Sequence, residues 1–126
     1  MNSILKKMFF KGQSPVLLLS APPEFKKVSK DFGVPVHAAA KGKYGFTLAF
    51  VKSLAEGGKL AKSLGQAVEE GGTLWVAYPK GTSKKYRSDY NRDTGNALMG
   101  KHGWEGVSLV ALDEDWSAMR FKAKKK

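Results

Sequence analysis

Along the chain, unbroken apolar runs alternate with stretches whose apolar residues recur every third or fourth position. Pro15–Ser20, Gly45–Val51 and Thr73–Tyr78 are continuous apolar runs of strand length. Strands covered on both faces of a parallel sheet take this form. Val34–His37 is a weaker strand, because Pro35 cannot donate to a ladder and belongs at an edge or a strand start. Between these runs, Phe25, Val28 and Phe32 fall at helical spacing, and Gly33 supplies a stop. Ser53-Leu54-Ala55-Glu56 is a capping box. It opens a helix whose stripe is Leu54, Gly58, Ala61, Leu64 and Val68, and which Gly71-Gly72 is expected to end. Gly57 and Gly58 each weaken that helix by about 1 kcal/mol relative to alanine, so its first turn is expected to be loose or to press closely on the sheet.

A further helix starts at Ser88 or Asn91 and runs to about His102, with Gly103 beyond its end. Val107–Leu112 and Ala118–Phe121 then read as two strands joined through Asp113–Trp116, a link short enough for an antiparallel hairpin. At the front, Ile4, Leu5, Met8 and Phe9 predict a short amphipathic helix before Gly12 that packs on the domain. This order predicts an α/β fold: one three-layer domain over residues 1–126, with a mostly parallel Rossmann-like sheet of about six strands closed by an antiparallel C-terminal hairpin.

Composition adds charge to this picture. The 126 residues carry 22 lysines and arginines against 11 acids, a formal charge of +11. Such a surplus attracts nucleic acid, anionic membranes and acidic proteins alike. Part of it lies in the first twelve residues and in the basic tail 122–126, where it reads as solubilising. With no cysteine, disulfides, thiolate metal sites and cysteine nucleophiles are excluded. No run approaches the ~18 apolar residues needed to span a bilayer, and the N-terminus lacks the layout of a signal peptide. A soluble cytoplasmic protein is expected.

Ligands of such a sheet bind beyond the carboxyl ends of its parallel strands. The most polar of those ends follows Tyr78. There Lys80, Thr82, Ser83, Lys84, Lys85 and Arg87 precede a helix, a set suited to a phosphate or carboxylate. Tyr78, Asp113 and Trp116 are the candidate edge of the same cleft. No glycine motif has nucleotide-binding spacing, and Ser20-Ala21-Pro22-Pro23 stands where a dinucleotide fingerprint would follow the first strand. His37 and His102 lack clustered partners, so no metal is assigned. Asp113-Glu114-Asp115 reads as an acidic turn. Basic residues interleaved with Tyr86, Tyr90 and Trp116 keep single-stranded nucleic acid in view as a partner.

Three stretches, Val16–Pro22, Gly72–Lys80 and Asp113–Phe121, together resemble a bacterial family known as domain of unknown function 3052. Its members share a leucine-rich strand ending in Ala-Pro, a Trp-Val-x-x-Pro-Lys strand and loop, and a closing Trp-Ser strand. The resemblance spans about residues 15 to 122 and implies no activity. The element order is also similar to the core of class I S-adenosylmethionine-dependent methyltransferases. Those enzymes carry a glycine-rich turn after the first strand and an acidic residue at the end of the second. This chain has Ala21-Pro22-Pro23 and His37-Ala38 in those places. The sequence therefore points first to a non-catalytic binding module on a methyltransferase-like scaffold, with no cofactor and no catalytic residue, recognising an anionic small molecule or an acidic protein. The alternatives are a small methyltransferase-like enzyme with an atypical cofactor site, and general nucleic-acid binding.

Overall fold

A computed structural model describes residues 3–123; the last three lysines of the predicted basic tail lie outside the described residues. The elements are helix α1 (Ser3–Lys7), strand β1 (Val16–Leu19), helix α2 (Pro23–Ser29) with a 3₁₀ turn at Lys30–Phe32, and strands β2 (Val36–His37) and β3 (Tyr44–Phe50). Helix α3 (Leu54–Ala67), strand β4 (Val68–Pro79), helix α4 (Arg92–Lys101) and strands β5 (Trp104–Ala111) and β6 (Trp116–Ala123) complete the chain. They form one six-stranded sheet in the order β2-β1-β3-β4-β6-β5. The first four strands are mutually parallel, and β6 runs antiparallel to both β4 and β5. The predicted α/β sheet with its closing hairpin is the observed architecture.

Alternation along the central strands divides the core between two faces. On one face Phe46, Leu48, Phe50, Trp75 and Trp116 pack with Leu5 of α1, Met8 of the turn after it, Phe25 of α2 and Phe32 of the 3₁₀ turn. The indole of Trp75 donates to the Met8 carbonyl at 3.0 Å, which ties α1 to the sheet. On the other face Val51, Leu74, Val76 and Tyr78 pack with Leu64 of α3 and Met99 of α4. Burial on both faces is what the continuous apolar runs required.

Both long helices are capped by residues legible in the sequence. The Ser53 hydroxyl accepts from the Glu56 amide at 3.1 Å. At α4, the Asn91 side chain and Thr94 cap each other's backbone amides. One boundary differs from the sequence pattern. The helix ends at Ala67 and the chain passes directly into β4, so Gly71-Gly72 lies inside that strand. The register between β3 and β4 jumps from Tyr44↔Val68 to Phe46↔Thr73, and Gly71, at φ 76°, sits in the bulge this creates. Nor does Gly57 press on the sheet. A Cβ there would lie 2.8 Å from the Tyr90 ring, and one on Gly95 of α4 would lie 2.4 Å from it. The two glycines close over Tyr90 from neighbouring helices and let α3 and α4 pack on it together.

Candidate functional site

The sheet reverses its order of winding at β1. From β1 the chain goes to β2 on one side, and β3 then returns to pair on the other. In open α/β sheets such a reversal leaves a crevice beyond the carboxyl ends of the two strands that diverge. Here a cavity of about 310 Å³ occupies that place, lined by Leu19 and Ser20 after β1, Phe50 and Val51 after β3, and Glu56, Lys59 and Leu60 of α3. The walls are apolar, and one carboxylate and one ammonium side chain reach it from successive turns of α3. Ser20 adopts a left-handed conformation, φ 57°. It gives the backbone after β1 the turn that a glycine usually supplies. Glu56 is held at the rim by the cap itself: its carboxylate accepts from the Lys52 amide at 3.3 Å and from the Ser53 hydroxyl at 3.5 Å.

The departures noted in the sequence have a structural counterpart. Helix α2 begins at Pro23 with Pro22 as its N-cap, so two residues at its start bring no amide hydrogen toward a ligand. The second strand is two residues long, and the His37 imidazole Nδ1 is 2.6 Å from the Tyr44 hydroxyl. No carboxylate ends that strand.

The residues picked out after Tyr78 separate into two groups. Pro79, Lys80, Ser83, Arg87 and Asn91 line a second cleft of about 380 Å³ at the end of β4. Among the described residues Lys80 and Arg87 have no ion-pair partner. Ser83 is engaged internally: its hydroxyl donates to Asp115 at 2.7 Å and accepts from the Lys85 and Tyr86 amides. Lys85 and Lys52 lie over the Tyr86 ring, 5.4 and 5.1 Å from its centre. Thr82, Lys84 and Lys85 are exposed and outside the cleft lining. Asp113 is an exposed turn residue that accepts from the Asp115 and Trp116 amides, both at 2.8 Å. Tyr78 and Trp116 are buried in the cores of opposite faces. Sequence reasoning passed over Glu56 and Lys59, which read as solvent-facing helix positions. Only the strand order brings them to the crevice.

Among the described residues there is no cluster of three or more histidines and acids able to hold a metal ion. None of the described helices is long and apolar enough to cross a membrane.

No protein-family model matches the chain, and no curated protein matches it in sequence. The likeness to the domain of unknown function 3052 family thus rests on the three stretches alone. Solved structures do match. The ribosomal protein L11 methylase from Lactobacillus delbrueckii subsp. bulgaricus superposes with a TM-score of 0.59 at 8% identity, covering 98% of this chain and 76% of that one. The N-methyltransferase NodS from Bradyrhizobium japonicum WM9 gives 0.62 at 11%, covering 98% and 93%. A TehB-like SAM-dependent methyltransferase from Corynebacterium glutamicum gives 0.56 at 8%, covering 97% and 86%. At these identities the likeness is one of fold, and the fold is that of class I S-adenosylmethionine-dependent methyltransferases. It overturns the sequence-based reading of a non-catalytic module. That reading accepted a methyltransferase-like scaffold and took the changes at residues 21–23 and 37–38 to remove its cofactor contacts; the neighbours, named as methyltransferases and matched over nearly the whole chain, favour the methyltransferase-like alternative instead.

Proposed function

We propose that the chain is a small methyltransferase-type enzyme whose S-adenosylmethionine site is displaced toward the crevice between β1 and β3. The single observation that carries this reading is that crevice: it lies at the winding reversal of a methyltransferase-like sheet, with a carboxylate and an ammonium group on apolar walls. Its chemistry suits the charged end of the cofactor. Glu56 matches a sulfonium or ammonium cation, and Lys59 matches a carboxylate. When bound, the cofactor supplies an electrophilic methyl group on its sulfur. Leu19, Val51 and Leu60 shield that end from water, while Ser20 lets the backbone approach closely. The neighbouring cleft, with Lys80 and Arg87 unpaired, suits an acceptor bearing an anionic group. The three stretches that resemble the domain of unknown function 3052 family extend the same proposal to members of that family carrying them.

Isothermal titration calorimetry with S-adenosylmethionine and S-adenosylhomocysteine tests the reading. Saturable binding to the native chain is expected, weakened about tenfold in Glu56→Gln, the size of effect expected when a charge-assisted contact is lost. Absence of heat with both ligands refutes it.

A further inference from the structure

A further hollow lies at the opposite, amino-terminal edge of the parallel strands. It measures about 790 Å³ and is bounded by the end of α3, the start of β4, Trp104 and the end of β6. It shares Gly71, Thr73 and Arg120 with a second hollow of about 330 Å³ that reaches Phe9 and Lys11. The two make one groove across the edge of the sheet. Lys11, Lys43, Lys62, Arg120 and Lys122 line it against two carboxylates, Glu69 and Glu70, so it is positive. Of its cations only Lys122 has a carboxylate near it, Glu105 at 3.9 Å.

Two aromatic rings are presented along the same groove. Trp104 is half-buried, whereas Trp75 and Trp116, the other two tryptophans, are 0% and 1% exposed. Phe9 is 48% exposed and holds a left-handed backbone conformation, φ 60°. A bulky side chain rarely adopts that conformation, and strained residues of this kind gather at functional sites. The Arg120 guanidinium stacks 5.0 Å from the centre of the Phe9 ring. Of Tyr86, Tyr90 and Trp116, the aromatics that the sequence interleaves with basic residues, Tyr90 and Trp116 are inside the core and Tyr86 packs against it, half-buried.

Cations that track a backbone, alternating with aromatic or guanidinium planes on which bases stack, are what single-stranded nucleic acid requires. We infer that this groove binds single-stranded nucleic acid, with Lys11, Lys43 and Lys62 on phosphates and Phe9 and Trp104 as stacking surfaces. The inference stands apart from the cofactor crevice at the other edge and does not depend on it.

The probe is a fluorescein-labelled, mixed-sequence single strand of about a dozen nucleotides, followed by anisotropy at about 50 and about 200 mM salt. The combined change Lys11→Gln, Lys43→Gln, Lys62→Gln is expected to weaken binding at least about tenfold and to reduce the slope of log K against log salt by about 2. Lys26→Gln, Lys30→Gln, Lys84→Gln removes the same charge elsewhere and is expected to change binding less than about twofold, since those charges lie outside the groove. Phe9→Gly relieves the left-handed strain, so it should raise thermal stability while weakening binding about tenfold, the loss of one stacking surface. Intrinsic fluorescence should be quenched on binding, and Trp104→Phe should abolish the quenching. No binding, equal loss in both triple variants, or equal affinity for duplex DNA or polyglutamate would overturn the inference.

Discussion

Tyr90 shows how single residues set the packing of the helical layer. Its ring fills the space between α3 and α4 because Gly57 and Gly95 carry no side chain there. Gly95→Ala should therefore destabilise the fold by about 1–3 kcal/mol through overpacking. Gly65→Ala meets nothing within 4 Å in α3 and should stabilise it by about 0.5–1 kcal/mol. Urea denaturation of the pair checks both signs. Burial also pushes the Tyr90 phenol far above its ordinary value of 10.0. With the folded value above the unfolded one, this contribution is whole below about pH 10. Above that the unfolded chain ionises first, and stability falls by about 1.4 kcal/mol per pH unit. Tyr90→Phe should lose that share of the alkaline slope; an unchanged slope would show that the phenol ionises freely. A second buried hydroxyl, Thr47 Oγ, has no partner among the described residues. Thr47→Val removes an unsatisfied group and should raise stability by about 1 kcal/mol in the same assay.

At the scale of elements, the α4 cap carries a further prediction. Asn91→Ala removes the acceptor for the Thr94 amide and should lower stability by about 1 kcal/mol. Thermal unfolding by circular dichroism measures it. That cap, the Ser53–Glu56 box and the continuous apolar strands were legible in the sequence because each is a local signal with its own period or side-chain chemistry. The Gly71-Gly72 pair was not, because a bulge and a helix stop use the same glycine freedom and only the pairing with Tyr44 and Phe46 separates them. Gly57 was also opaque, since its neighbour in space is thirty-odd residues away in α4's approach. The loop after Tyr78 was visible as a basic cluster. Which of its side chains line a cleft was not, because Lys85 turns onto the Tyr86 ring and Ser83 is tied to Asp115 of the distant β5–β6 turn.

For the whole molecule, the proposed site follows from strand order. Glu56 and Lys59 look like ordinary helix surface until β3 pairs beside β1 and brings the start of α3 to the crevice. Under the proposed reading, residues 21–23 and 37–38 speak against a cofactor only on the β2 side of β1. The same sheet carries a positive groove at its other edge, so the chain presents two separated surfaces of different chemistry. The proposed cofactor site lies between β1 and β3 at the start of α3. That placement is tested most directly by amide chemical-shift mapping of the labelled protein during titration with S-adenosylmethionine. Saturating shifts should cluster at Leu19, Ser20, Val51, Glu56, Lys59 and Leu60 and spare the groove around Lys62 and Trp104. Shifts centred on Ala38–Lys41 at the end of β2, or no shifts at saturating ligand, would contradict it.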